Sequence, residues 1–185
     1  MTTWTSQQEA DFKRLSIPYV CLEPAELEIY DAALCKLGHG LCLEWGAGYS
    51  TIYFPSQHPD LEWIAIEHNP VWRDLLKGRL PINASLRFFP DETGYVFDVF
   101  DDGVKLDFIS VDGKDEWRGY CMLAASILLK PGTGRCFLHD TARREYRRWF
   151  GVFDHAEKLA DGLTAEQNPH GSAGRGIYQF WNDAR

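Results

Sequence analysis

The sequence predicts an α/β fold, a mostly parallel sheet of seven strands with helices on both faces. Three observations predict it. Strand and helix signals alternate along the chain, and no repeat or linker interrupts them. The 185 residues suit a single domain, at roughly 100–200 residues per domain. A content of 45% apolar and 14% aromatic residues supplies one sizeable core.

In chain order, Pro24 to Leu37 carries an apolar stripe (Ala25, Leu27, Ile29, Tyr30, Ala33, Leu34, Leu37) at helical spacing, and Gly38 and Gly40 end it. Leu41 to Trp45 is a short apolar strand running into Gly46-Ala47-Gly48. A second strand, Leu61 to Ile66, closes on Glu67 and is followed by a Pro70-initiated helix to about Gly78. Leu86 to Phe89 is a third strand, and Gly94 to Lys105 an irregular acidic loop. Leu106 to Val111 is a fourth strand, ending at Asp112-Gly113. Met122 to Leu129 is too long for a strand and reads as a buried helix, stopped by Pro131-Gly132. Arg135 to Leu138 is a fifth strand, ending at His139-Asp140. Thr141 to Phe150 reads as an amphipathic helix, with Arg143, Arg144, Arg147 and Arg148 within about 140° of arc opposite Tyr146, Trp149 and Phe150. Phe153 to Leu159 and Ile177 to Trp181 complete the seven strands, joined by a Gly-rich connection.

A net charge of −8 argues against a nucleic-acid partner, since such domains usually carry a basic footprint. Seven Trp, eight Tyr and eleven Phe exclude a disordered acidic chain. The longest apolar run, Cys121 to Leu129, is far too short to span a bilayer, so no membrane role is expected. Residues 1–14 hold no apolar core of signal-peptide length. Five cysteines (Cys21, Cys35, Cys42, Cys121, Cys136), with no C-x-x-C pair, point to free thiols, and the expected location is the cytoplasm.

In parallel sheets ligands bind beyond the carboxyl ends of the strands, and Glu44, Glu67, Asp112 and Asp140 all stand there. Glycines after the first strand let backbone approach a ligand closely. A dinucleotide fingerprint would place a third glycine where Thr51 stands, whereas Glu44 suits a cationic ligand. Glu67, 19 residues after Gly48, is placed to accept both hydroxyls of a ribose.

Taken together, this pattern resembles the class I S-adenosylmethionine-dependent methyltransferases. The resemblance rests on Glu44 to Thr51, Ile64 to Glu67, Phe108 to Gly113 and Leu129 to Gly132, and covers about residues 24 to 181. It implies a single-domain Rossmann-like fold, with residues 1–23 as a lid or extension (Trp4, Phe12 and Tyr19 covering the pocket) and 24–185 as the cofactor-binding domain. It further implies that Gly46, Ala47 and Gly48 lie under the cofactor's amino-acid end, with Ser50 joining them, and Glu44 near its ammonium or sulfonium. By the same resemblance Glu67 holds the ribose, His68 and Asn69 flank the adenine, Asp91 meets the adenine amino group, and Asp112 faces the transferred methyl.

Methyl transfer is an in-line displacement, so positioning supplies most of the rate, and a hydroxyl acceptor needs help to lose its proton. His139 or Asp140 could be that base, with Asp112 beside them. Asp112 and Asp140 could together bind one Mg²⁺, although Thr141 stands where metal-dependent relatives carry Asn. Asp140 could equally cap the next helix. The arginine face could receive a phosphate, a carboxylated acceptor or an acidic partner, or be a solvated face. Residues 170–176 resemble a phosphate loop by composition only. The expected activity is methyl transfer to a small-molecule acceptor, at oxygen in preference to nitrogen, in a site that a second subunit of a homo-oligomer could complete. Three alternatives are an aminopropyl transferase, a non-catalytic cofactor-binding protein docking through its arginines, and, last, a nicotinamide dehydrogenase.

Overall fold

A computed structural model describes residues 22, 24–163 and 174–184. The proposed lid residues Trp4, Phe12 and Tyr19, together with Cys21 and residues 170–173 of the Gly-rich connection, lie outside these. The chain begins its described course with α1 (Pro24–Leu37), β1 (Gly40–Trp45), α2 (Tyr49–Gln57), β2 (Leu61–Glu67), α3 (Pro70–Leu76) and β3 (Ala84–Phe88). It continues through α4 (Glu92–Phe97), β4 (Phe108–Val111), α5 (Arg118–Leu128), β5 (Arg135–His139), β6 (His155–Leu163) and β7 (Gly174–Trp181). Short 3₁₀ turns at Asp98–Phe100 and Asp115–Trp117, and a longer 3₁₀ helix at Arg144–Val152, complete it.

The sheet has seven strands in the order β3-β2-β1-β4-β5-β7-β6. β1 to β5 pair in parallel, and β7 enters antiparallel between β5 and β6. Strand order reverses between β1 and β4, the switch point at which such sheets open a crevice. Alternation along the strands divides the core in two. Leu43, Trp45, Ile109, Val111 and Leu138 face α4 and α5, whereas Cys42, Trp63, Phe108 and Phe137 face α1 and α2. Burying one such aromatic contributes about 3 kcal/mol, and Trp45 also donates its indole N–H to the Tyr95 carbonyl across 2.8 Å. Local chemistry fixes the boundaries. Gly38 adopts φ +73° and returns its N–H to Leu34 O at 3.0 Å, ending α1. Asn69 caps α3 by accepting from Val71 N at 2.9 Å, with Pro70 pre-set for the first turn.

Two expected elements differ. The acidic stretch after β3 is no irregular loop. Asp91 accepts from Gly94 N at 2.9 Å and starts α4, whose Tyr95 and Val96 reach the core. The arginine-rich segment is a 3₁₀ helix beginning at Arg144. At three residues per turn Tyr146, Trp149 and Val152 align on its inner side. Gly174 to Gly176 form the start of β7, which corrects the phosphate-loop comparison for that part. No described helix is long and apolar enough to cross a membrane.

Candidate active site

The loops after β1 and β4 press against each other at the switch point. Gly46 has φ +100°, and a Cβ there would lie 2.6 Å from the Asp112 carbonyl oxygen and from the Gly113 backbone, so only glycine fits. Gly113 in turn lies against Tyr95, whose hydroxyl would be 1.8 Å from an added Cβ. At Gly48 nothing among the described residues comes within 4 Å of the Cβ position, and the loop is open there.

Glu67 ends β2 and Glu44 stands one residue before the end of β1, both behind this loop, and each is only 2% exposed. Glu44 accepts from the Ser50 hydroxyl, from Thr51 Oγ1 at 2.7 Å and from Trp63 Nε1 at 3.0 Å. Thr51 accepts in turn from Gly48 N at 3.0 Å. The residue that breaks the dinucleotide fingerprint thus braces the loop to Glu44, and Ser50 turns to Glu44 as well. Glu67 Oε1 accepts from His68 N at 2.8 Å and Asn69 N at 2.6 Å, and the carboxylate also takes the Ala47 N–H. Burial raises both carboxyls to about 7 against the pull of these donors. His68 packs edge-on to Tyr95 and Trp117 at 5.6 and 5.4 Å, and burial and Lys114 lower its pKa. His68 Nδ1 lies 3.1 Å from Glu67 Oε1, and the buried Tyr95 Oη makes no hydrogen bond to the described residues. Asp91 stays exposed as the α4 cap.

Beyond β4 and β5 lies a balanced ion network. Arg118, the first residue of α5 and 5% exposed, donates Nε to Gly113 O (2.8 Å) and Nη1 to His139 O (3.1 Å) and Asp140 Oδ2 (3.2 Å). Its Nη2 donates to Asp112 Oδ1 at 3.0 Å. His139 stands between Asp112 Oδ1 (3.2 Å from Nδ1) and Glu26 Oε1 of α1 (3.1 Å from Nε2). Burial alone would lower its pKa, but Asp112 and Glu26 outweigh burial and raise it to about 10. Asp140, which burial would raise, is held at about 2 by His139, Arg118 and Arg143. Asp140 and Arg175 both take left-handed backbone (φ 60° and 63°), and the Arg175 N–H donates to Asp140 Oδ1 at 2.7 Å. Such conformations cost about 1–2 kcal/mol each and gather at functional sites.

The sequence-predicted residues Glu44, Gly46, Ala47, Gly48, Ser50, Glu67, His68, Asp112, His139 and Asp140 therefore line one edge of the sheet, and Asp91 stands apart on its cap. Several expectations change. Asp112, His139 and Asp140 offer donor atoms within 4.8 Å of one another. A Mg²⁺ between Asp112 and Asp140 does not fit, because the Arg118 guanidinium already bridges them and His139 adds a second positive charge. An imidazolium with a pKa near 10 donates its proton, so His139 does not start as a base. The Asp140 carboxylate reaches across to β7 and to Arg118 and caps no helix. Arg143 leaves the arginine face to pair with Asp115 and Asp140, while Arg144, Arg147 and Arg148 stay exposed. Sequence reasoning missed Glu26, which also accepts from Gly176 N at 3.2 Å across 150 positions of chain. A lone acid in a helix's first turn gives no local sign of that.

Neither protein-family models nor curated proteins give a match to the chain. Solved structures do. An O-methyltransferase from Bacillus cereus in complex with SAH superimposes with a TM-score of 0.69 at 15% identity, covering 97% of this chain and 91% of that one. The O-methyltransferase TomG from Streptomyces achromogenes, in complex with SAM, gives 0.66 at 12%, covering 100% and 92%. Precorrin-6y C5,15-methyltransferase from Geobacter metallireducens gives 0.59 at 19%, covering 89% and 94%. At such identities the likeness is one of fold, and the chain has the Rossmann-like fold of the class I S-adenosylmethionine-dependent methyltransferases.

Proposed function

We propose that this protein binds S-adenosylmethionine and transfers its methyl group to an oxygen of a small-molecule acceptor. The observation that carries the reading is the switch-point loop itself. It is open at Gly48 and tied through the Ala47 N–H to Glu67 at the tip of β2, and it lies beside Asp112 at the tip of β4. The residues fit the cofactor. The open Gly48 position accepts close approach, and Tyr95 Oη is a buried polar atom without a hydrogen bond to the described residues beside His68. Glu67 has about one lone-pair site beyond those its three backbone donors use, enough to accept one ribose hydroxyl.

The bound cofactor supplies an electrophilic methyl on a sulfonium. Glu44 provides buried negative charge on the loop's inner side, which a cationic ligand strengthens. Asp112 Oδ1 is committed to Arg118 and His139, while Oδ2 has no partner among the described residues. We assign Oδ2 to receive the acceptor's hydroxyl proton, with Arg118 and His139 holding the carboxylate in place. Asp140 then acts by positioning Arg118. On this reading the reaction needs no added Mg²⁺, since Arg118 supplies the positive charge between the two aspartates.

A second reading, cofactor binding without turnover, is favoured by one fact: most carboxylates on the acceptor side are already paired. Calorimetric titration with S-adenosylmethionine and S-adenosylhomocysteine, with NADH as control, tests binding. An acceptor screen with and without Mg²⁺ then tests turnover. Binding with catalysis supports the main reading, binding without catalysis the second, and NADH binding alone contradicts both.

A further inference from the structure

A second group of metal-binding side chains lies away from this site. Asp31 and Cys35 are four residues apart on α1 and therefore on one helical face. His58 closes the end of α2 opposite them, and the donor atoms of the three residues all lie within 4.8 Å of one another. His58 is firmly placed. Its N–H donates to Phe54 O at 2.9 Å, and its carbonyl accepts from Leu61 N at 3.1 Å and from Asn83 Nδ2 at 3.2 Å. The ring is correspondingly sheltered, at 11% exposed, with Nε2 2.8 Å from Asp31 Oδ1. Cys35 is the one exposed thiol among the described cysteines and makes no hydrogen bond or ion pair with the described residues. Cys42, Cys121 and Cys136 are buried, and desolvation pushes their thiols well up.

We propose that Asp31, Cys35 and His58 form a zinc site that pins α1 to α2, with water as fourth ligand. A thiolate, an imidazole and a carboxylate together are donors for Zn²⁺, whereas Mg²⁺ and Ca²⁺ want oxygen alone. Tetrahedral bonds of about 2.0–2.3 Å set donors roughly 3.3–3.8 Å apart. Side-chain rotation closes the present spacing to that range, and the His58–Asp31 contact opens by about half an ångström. Metal uptake displaces the thiol proton. The site is at the opposite end of the sheet from Glu44 and Glu67, because Cys35 shortly precedes β1 and His58 shortly precedes β2. Its role is to brace the two helices that cover one face, independently of the methyl-transfer reading.

Cobalt(II) reports such a site by absorption. Titration of fully reduced protein, its thiols counted beforehand, is expected to show uptake of one Co²⁺ with strong near-ultraviolet thiolate-to-cobalt absorption. That band disappears in Cys35→Ser and persists in Cys21→Ser and Asp112→Asn. His58→Asn weakens uptake at least about tenfold, the loss typical of a mere supporting residue in a metal site. Zn²⁺ displaces the cobalt. At a hundredfold excess over its Kd it raises Tm by about 5 °C in the wild type and not in Cys35→Ser. Absence of the band, its survival in Cys35→Ser, or its loss in Asp112→Asn overturns the assignment.

Discussion

Arg118 holds the acceptor side of the site together. Its guanidinium serves Asp112, Asp140 and two backbone carbonyls almost without water. Arg118→Met removes the guanidinium between two part-buried aspartates, leaving Asp112 to His139 and Asp140 to His139 and Arg143, and we expect a loss of about 3 kcal/mol in stability by denaturant unfolding. Arg118→Lys recovers only part of it, since an ammonium cannot span both carboxylates. His139 gives the network a pH signature. Its pKa is raised from 6.5 to about 10, so its contribution is complete below pH 6.5 and is lost as pH rises through 10. Wild-type Tm should therefore fall between pH 6.5 and 10, and His139→Gln should flatten that fall. An unchanged slope in the variant would place the titration elsewhere. Gly46→Ala meets backbone on the β4 side at a left-handed φ, and a loss of about 3 kcal/mol is expected from the same unfolding measurement.

At the level of elements, α1 reaches the site through one side chain. Glu26 accepts the Gly176 N–H that opens β7's pairing and stands beside His139. Glu26→Ala should lower amide-exchange protection at Gly176 and in the first turn of α1, leaving β2 and β3 unchanged. Uniform loss across the sheet would mean that Glu26 supports the whole fold. The elements themselves were largely legible in sequence, for physical reasons. Glycine after an apolar strand and proline at a helix start are local signals, and Glu44, Glu67, Asp112 and Asp140 followed from strand ends alone. α4 was hidden because its start is an aspartate cap in an acidic stretch, and cap and solvated loop share that composition. The 3₁₀ geometry of Arg144–Val152 was hidden because periods of 3.0 and 3.6 both bring Tyr146 and Trp149 to one side. Partners far apart in sequence, Glu26 with His139 or Arg118 with Asp140, leave no periodic trace.

Across the whole molecule, the same strand order that builds the core gathers the chemistry. Because β1 and β4 are neighbours in the sheet while β2 and β5 flank them, loops from four separate stretches meet at one edge. Glu67 is the point where the sheet and the proposed cofactor depend on the same side chain. Glu67→Gln keeps an oxygen for the backbone amides of His68 and Asn69 but weakens acceptance of a ribose hydroxyl. The measurement that tests the account most directly is a calorimetric titration of S-adenosylmethionine into the wild type and Glu67→Gln, each first shown to be folded by its thermal transition. One site per chain is expected in the wild type, weakened about tenfold or more in the variant, the loss of roughly one charge-assisted hydrogen bond. Absence of binding to the folded wild type, or equal binding by both proteins, would contradict it.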